Sequence, residues 1–94
     1  MKNVLRTRLT IGADNRTHRL SASYVRRIHR WGTLYLQNYT VVRGEGCYVG
    51  GREKSLMLEY TGRRIPTGLI RALKVSLKQN AIVVETYRVR SKLV

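Results

Sequence analysis

Arginine is the residue type in this sequence best suited to do chemistry, and the chemistry is the holding of phosphate. Fourteen of the nineteen cations are Arg, against five acids, Asp14, Glu45, Glu53, Glu59 and Glu85, for a net charge of +14. A guanidinium offers a flat fork of donors that matches phosphate geometry, whereas the ammonium of Lys is a hydrated point charge. A chain this one-sided in charge repels itself when compact and attracts polyanions from a distance. Lys would serve solubility equally well, so the Arg bias points to phosphate recognition.

No set of residues converges in the sequence on a reaction. His18 and His29 are the only histidines. Their titration near neutrality suits acid–base work, and such a pair could cleave a phosphodiester. Nothing in their spacing requires them to meet, and no paired carboxylates, metal cluster or Ser/His/Asp set accompanies them. The expectation is a binding protein without catalytic residues, metal or cofactor. A small phosphodiesterase or nuclease using His18 and His29 is the alternative. Cys47 is the only cysteine, which excludes an intrachain disulfide and a Cys-based zinc site within one chain. That usage fits a reducing cytoplasm. No apolar run approaches the roughly 18 residues of a membrane span. Arg6 and Arg8 interrupt the N-terminal stretch where a signal core would lie. The protein is therefore read as cytoplasmic, with no membrane partner.

The 94 residues and 43% hydrophobic content describe one globular domain over 1–94 with one modest core. Leu5, Thr7, Leu9 and Ile11 alternate with Arg6, Arg8 and Thr10, which predicts a strand. Gly12-Ala13-Asp14-Asn15 breaks it. Leu20, Tyr24, Ile28, Trp31 and Tyr35 recur at helical spacing over about Ser21 to Gln37. Ser21 or Ser23 caps that helix, and Asn38 ends it in the left-handed conformation. Gly32 costs such a helix about 1 kcal/mol against Ala, so a break there is the rival reading. Tyr39 to Arg43 and Lys54 to Thr61 read as strands joined through glycines by a bulge or wide loop. Pro66 opens a second helix with the stripe Leu69, Ile70, Leu73 and Leu77, closed by Asn80. Ala81 to Arg90 is a last strand rich in β-branched residues. The order β-α-β-β-α-β predicts an α+β, ferredoxin-like sandwich, two helices on one face of a four-stranded antiparallel sheet.

The run Gly44-x-Gly46-x-Tyr48-x-Gly50-x-x-Glu53-x-Ser55-Leu56-x-x-Glu59 resembles a hairpin found in small proteins of phages and other mobile elements. Gln79-Asn80-Ala81-Ile82-Val83-Val84 resembles their helix end and following strand. The resemblance implies the same ferredoxin-like fold. It also implies a viral or plasmid setting, in the host cell cytoplasm, with action on host nucleic acid, a host defence complex or a nucleotide signal. The heavy Arg content departs from that group and implies an adapted partner.

Three basic surfaces follow from these elements. Arg6 and Arg8 point away from the helices, and Arg88 and Arg90 share a parity in the last strand. Together they are expected to form one cationic platform on the open face, with Tyr48, Tyr60 and Tyr87 available for stacking on bases. Arg26 and Arg30 form a helical surface. Arg71, Lys74 and Lys78 form a third, by default a solvated face. Arg43 and Arg52 flank the glycine hairpin, which lacks the Gly-Lys-Ser/Thr ending of a P-loop. The loop Asn15-Arg16-Thr17-His18-Arg19 precedes a helix N-terminus, where the dipole favours anions, so Arg16 and Arg19 are further phosphate candidates. Nucleic acid held through this Arg-rich surface is the leading expectation. A nucleotide-binding oligomer that sequesters a signal is the second, and an inhibitor gripping an acidic host protein is the third. The exposed sheet and its edge make a homo-oligomer the expected assembly.

Overall fold

β1 (Lys2–Gly12) lies inside the sheet, between two antiparallel partners. The computed structural model describes residues 2–94, so Met1, part of the stretch read for a leader, lies outside it. The other elements are α1 (Ala22–Tyr35), β2 (Thr40–Tyr48), β3 (Gly51–Thr61), α2 (Thr67–Ser76) and β4 (Val83–Ser91). The sheet order is β2-β3-β1-β4, the expected ferredoxin-like arrangement. Alternation in β1 buries Thr7, Leu9 and Ile11 beneath the helices. Leu56 and Leu58 of β3 stand opposite Ile11 and Leu9 and are equally buried.

Tyr24, Ile28 and Trp31 of α1, with Ile70 and Leu73 of α2 and Leu77 just beyond it, close the core from above. The indole Nε1 of Trp31 donates to the Leu69 carbonyl at 3.0 Å, and Arg27 donates to the Ser76 carbonyl, so the helices are tied side by side. At the sheet end, Gln79 Nε2 donates to the carbonyls of Gly12 and Ala13 and to the Tyr24 hydroxyl. Of the two serines expected to cap α1, Ser21 does so, its Oγ accepting from the Tyr24 amide.

Three local expectations are corrected, at the two helix ends and in the glycine segment. The first helix is continuous as read, and the rival break at Gly32 does not occur. The Tyr39 ring lies over that position, where a Cβ would fall 2.7 Å from Cζ. The left-handed residue ending α1 is Gln37 (φ 70°), not Asn38, because the Gln37 amide already turns back to the Gly32 carbonyl. α2 closes likewise at Lys78 (φ 55°), with the Gln79 amide on the Lys74 carbonyl. The glycine segment holds no bulge or wide loop. β2 and β3 pair without a slip from Thr40↔Glu59 to Tyr48↔Gly51, leaving Val49 and Gly50 as a two-residue turn. Gly50 sits at φ 106°, a conformation that L side chains rarely adopt.

Candidate anion site

Directly opposed residues of a ladder share a face, so the register decides which arginines meet. Arg6 stands opposite Tyr87, and Arg8 opposite Glu85 and Glu59. Arg88 stands opposite Leu5, in the inward row that continues from Val84 and Thr86. Arg88 and Arg90 therefore lie on the helix side, and the expected four-arginine platform does not form. What remains on the open face is balanced rather than cationic. Arg8 donates to Glu59 at 3.3 Å in an ion pair, and Arg6 Nε donates to the Thr61 hydroxyl.

The other sequence candidates are dispersed. Arg26 and Arg30 line a shallow trough on the outer side of α1 with His29 and Leu34. Arg52 and Tyr48 line a second trough with His18 at the hairpin, while Arg43 is exposed on the β2 edge. Arg16 and Arg19 are exposed, but their loop is folded on itself. The amides of Arg16 and His18 donate to Asp14, and that of Arg19 to the Thr17 hydroxyl. Tyr60 is half-buried against the core, whereas Tyr87 is exposed on the open face. His29 bonds the Tyr39 hydroxyl at 2.9 Å on α1, apart from the His18 trough. Among the described residues no three His, Cys, Asp or Glu side chains are grouped to hold a metal. Among the described residues no helix is long and apolar enough to cross a membrane.

Convergence of cations occurs elsewhere. α2 leaves both faces of β4 largely uncovered, and between them runs a groove of about 340 Å³. Arg64, Arg71 and Lys74 line it from the α2 side, and Val84 and Thr86 of β4, with Ile82 just before that strand, line it from the other. Arg88 and Arg90 extend the same face along β4 beyond Thr86. Thr67 begins α2 at the groove, and no side chain caps that helix end. The amides of an uncapped first turn and the helix dipole favour an anion there. Thr7 also lines the groove. It is 1% exposed, and its hydroxyl makes no hydrogen bond among the described residues. A buried polar group without a partner costs roughly 1–3 kcal/mol, so this hydroxyl is an exception that calls for a role.

Three converging cations, an open helix start and an orphan hydroxyl beside an apolar wall of Ile65, Ile70 and Val84 can hold a charged group and a flat or apolar body together. Arg71 and Lys74 appear in the sequence as a helix face and Arg64 as a loop residue. Thr7 was the available signal, as the one hydroxyl in an otherwise apolar inward row.

No family model and no curated protein matches this sequence. Solved structures do share its fold. A phage SAM lyase in its apo state aligns with a TM-score of 0.57 at 18% identity, over 98% of this chain and 93% of that one. A DUF3240 family protein from Shewanella baltica OS155 aligns with a TM-score of 0.56 at 13% identity, over 96% and 94%. CPII from Thiomonas intermedia K12, bound to ADP and bicarbonate, aligns with a TM-score of 0.52 at 11% identity, over 94% and 87%.

Proposed function

We propose that this chain is a phosphate-anion-binding module whose ligand is a small phosphorylated molecule of the nucleotide class, held in the groove between α2 and β4. The convergence of Arg64, Arg71 and Lys74 on a concave site with the unpartnered Thr7 hydroxyl carries this reading. Pockets of about 300–1,000 Å³ with apolar walls and a few polar groups suit small ligands. The groove falls in that range, whereas a polymer is served by a continuous track. The likeness in fold to CPII, solved with ADP, supports the same ligand class. The module acts by binding, with the guanidinium forks and the start of α2 on the phosphates and the apolar wall against the remainder.

A second reading keeps nucleic acid as the partner. It is favoured by the net charge of +14 and by exposed arginines on several faces. Calorimetric titration with ADP, inorganic phosphate and a single-stranded oligonucleotide across a salt series separates the two. The expected result is saturable 1:1 binding of ADP that Arg71→Ala weakens by about ten- to a hundredfold, the worth of a hydrogen bond to a charged group. Oligonucleotide binding that falls steeply with salt, ignores Arg71→Ala and is accompanied by no ADP binding overturns the proposal in favour of the polymer.

A further inference from the structure

The open face of the sheet differs in charge from the rest of the molecule. Among the side chains described, it carries two cations, Arg6 and Arg8, and three of the five acids, Glu53, Glu59 and Glu85. Cations and acids are thus close to balance among the side chains described there, whereas the chain as a whole carries +14. The register arranges the face in rows that cross the strands. Glu85, Arg8, Glu59 and Thr40 form a charged row. Val83, Thr10, Met57 and Val42 form the apolar row beside it. Val4 and Val89 pair at one end, and small residues, Gly12, Ser55 and Gly44, lie at the other. Val83 is 56% and Val42 43% exposed, so both ends of the apolar row are uncovered among the described residues, with Thr10 and Met57 half-buried between them.

We infer that this face is the contact surface for a second copy of the same chain, packed sheet on sheet. Polyanions are a poor match, because they would meet three carboxylates here and find better footing on the helix side. An acidic protein would make the same choice. Two copies of a strongly cationic chain repel one another wherever their basic surfaces meet. The open face lets them approach without adding like charge. Its charged row also complements itself, since Arg8 of one copy can meet Glu59 or Glu85 of the other. The size is suitable. Four strands about 4.8 Å apart and about nine residues long at ~3.3 Å each project roughly 550 Å² before side chains roughen the surface. One side of a standard interface contributes about 800 Å² of accessible area. The inference rests on register and charge alone, so it stands or falls independently of the groove, which opens on the other side of the sheet.

Sedimentation velocity of nuclease-treated protein at high salt tests it. High salt removes assemblies bridged by nucleic acid while leaving apolar contact intact. The wild type is expected to sediment as a dimer. Val83→Lys, at an exposed position, is expected to give a monomer with an unchanged circular dichroism spectrum. Arg71→Ala, in the groove, is expected to stay assembled. A wild type that is monomeric at its highest soluble concentration overturns the inference. So does an assembly that survives both Val83→Lys and Met57→Lys. Should Val83→Lys unfold the chain, Glu59→Lys with Glu85→Lys, run on nuclease-treated protein at low salt where charges are little screened, provides the second reading, expected to dissociate the assembly by making the charged row wholly basic.

Discussion

Thr7 and Thr86 stand directly opposite one another in the β1–β4 ladder, the first buried and the second exposed, and both line the groove. The buried hydroxyl has no partner among the described residues. Thr7→Val removes that hydroxyl with little change of shape. Without ligand the variant is expected to gain up to about 1 kcal/mol, because an unsatisfied buried group disappears. That is a rise of roughly 4–8 °C in Tm for a domain of this size. With ADP present the gain should shrink or reverse, because the ligand loses its partner. Thermal unfolding with and without ADP measures both. A variant less stable than wild type in both conditions would mean that the hydroxyl is satisfied within the fold.

Arg88 and Arg6 lie close in the β1–β4 ladder but on opposite faces. Arg88→Ala should weaken ADP binding a few-fold at low salt, since exposed charges act over about 10 Å at 0.1 M salt. Arg6→Ala should leave it unchanged. A titration of both variants at two salt concentrations reads the difference. Equal losses would show that only the overall charge counts.

Tyr24 is 2% exposed and donates to the Gly12 carbonyl at 2.7 Å while accepting from Gln79. Burial raises its pKa above the ordinary 10.0; the Gln79 hydrogen bond pulls it back, Asp14 raises it further and Arg27 lowers it. A folded-state pKa above the unfolded one means that the native protein holds this proton more tightly. The associated stability is fully present below pH 10 and is lost as pH rises through the raised value. Stability should therefore fall at alkaline pH, and Tyr24→Phe should flatten that fall. At neutral pH the same variant should cost about 1–2 kcal/mol, because it leaves the Gly12 carbonyl and Gln79 short of partners. Denaturant melts of both proteins between neutral and strongly alkaline pH measure the two effects. Parallel pH profiles would assign the alkaline loss to other groups.

Much of the fold was legible because its signals are local. Alternation in β1 and the stripes of α1 and α2 each report a single buried face, and a serine cap was identifiable as Ser21 or Ser23. The misjudged features depend on tertiary partners. The glycine-rich half of β2 has little strand propensity, and its pairing with β3 extends the strand to Tyr48. The platform failed because shared parity within β1 and within β4 does not say how the two parities are joined. That is set by register, which puts Leu5 and not Arg6 beside Arg88. The groove exists because α2 stops short of covering β4, a packing offset with no trace in the periodicity of either element. Its cations consequently read as an ordinary solvated helix face.

The Tyr39 ring packed on Gly32 makes the last prediction a contest between local and tertiary terms. In an isolated helix Gly32→Ala should stabilise by about 1 kcal/mol. Here a Cβ would meet Cζ and Cε1 of Tyr39 at 2.7 and 2.8 Å, distances real Cβ atoms essentially never show. The ring is not free to swing aside. Its hydroxyl donates to the His29 carbonyl at 3.0 Å and lies within 2.9 Å of His29 Nδ1 and 3.2 Å of the Thr33 hydroxyl. Expelling it would forfeit those bonds and the packing of a partly buried aromatic. Overpacking of this kind costs about 1–3 kcal/mol, so the net change should be destabilising despite the better helix former. Chemical denaturation of Gly32→Ala, alone and combined with Tyr39→Ala, checks it. The double variant should recover the helix-propensity gain that the single one cannot express, giving a positive coupling between the sites. A stabilised single variant would show that Tyr39 leaves this position at little cost.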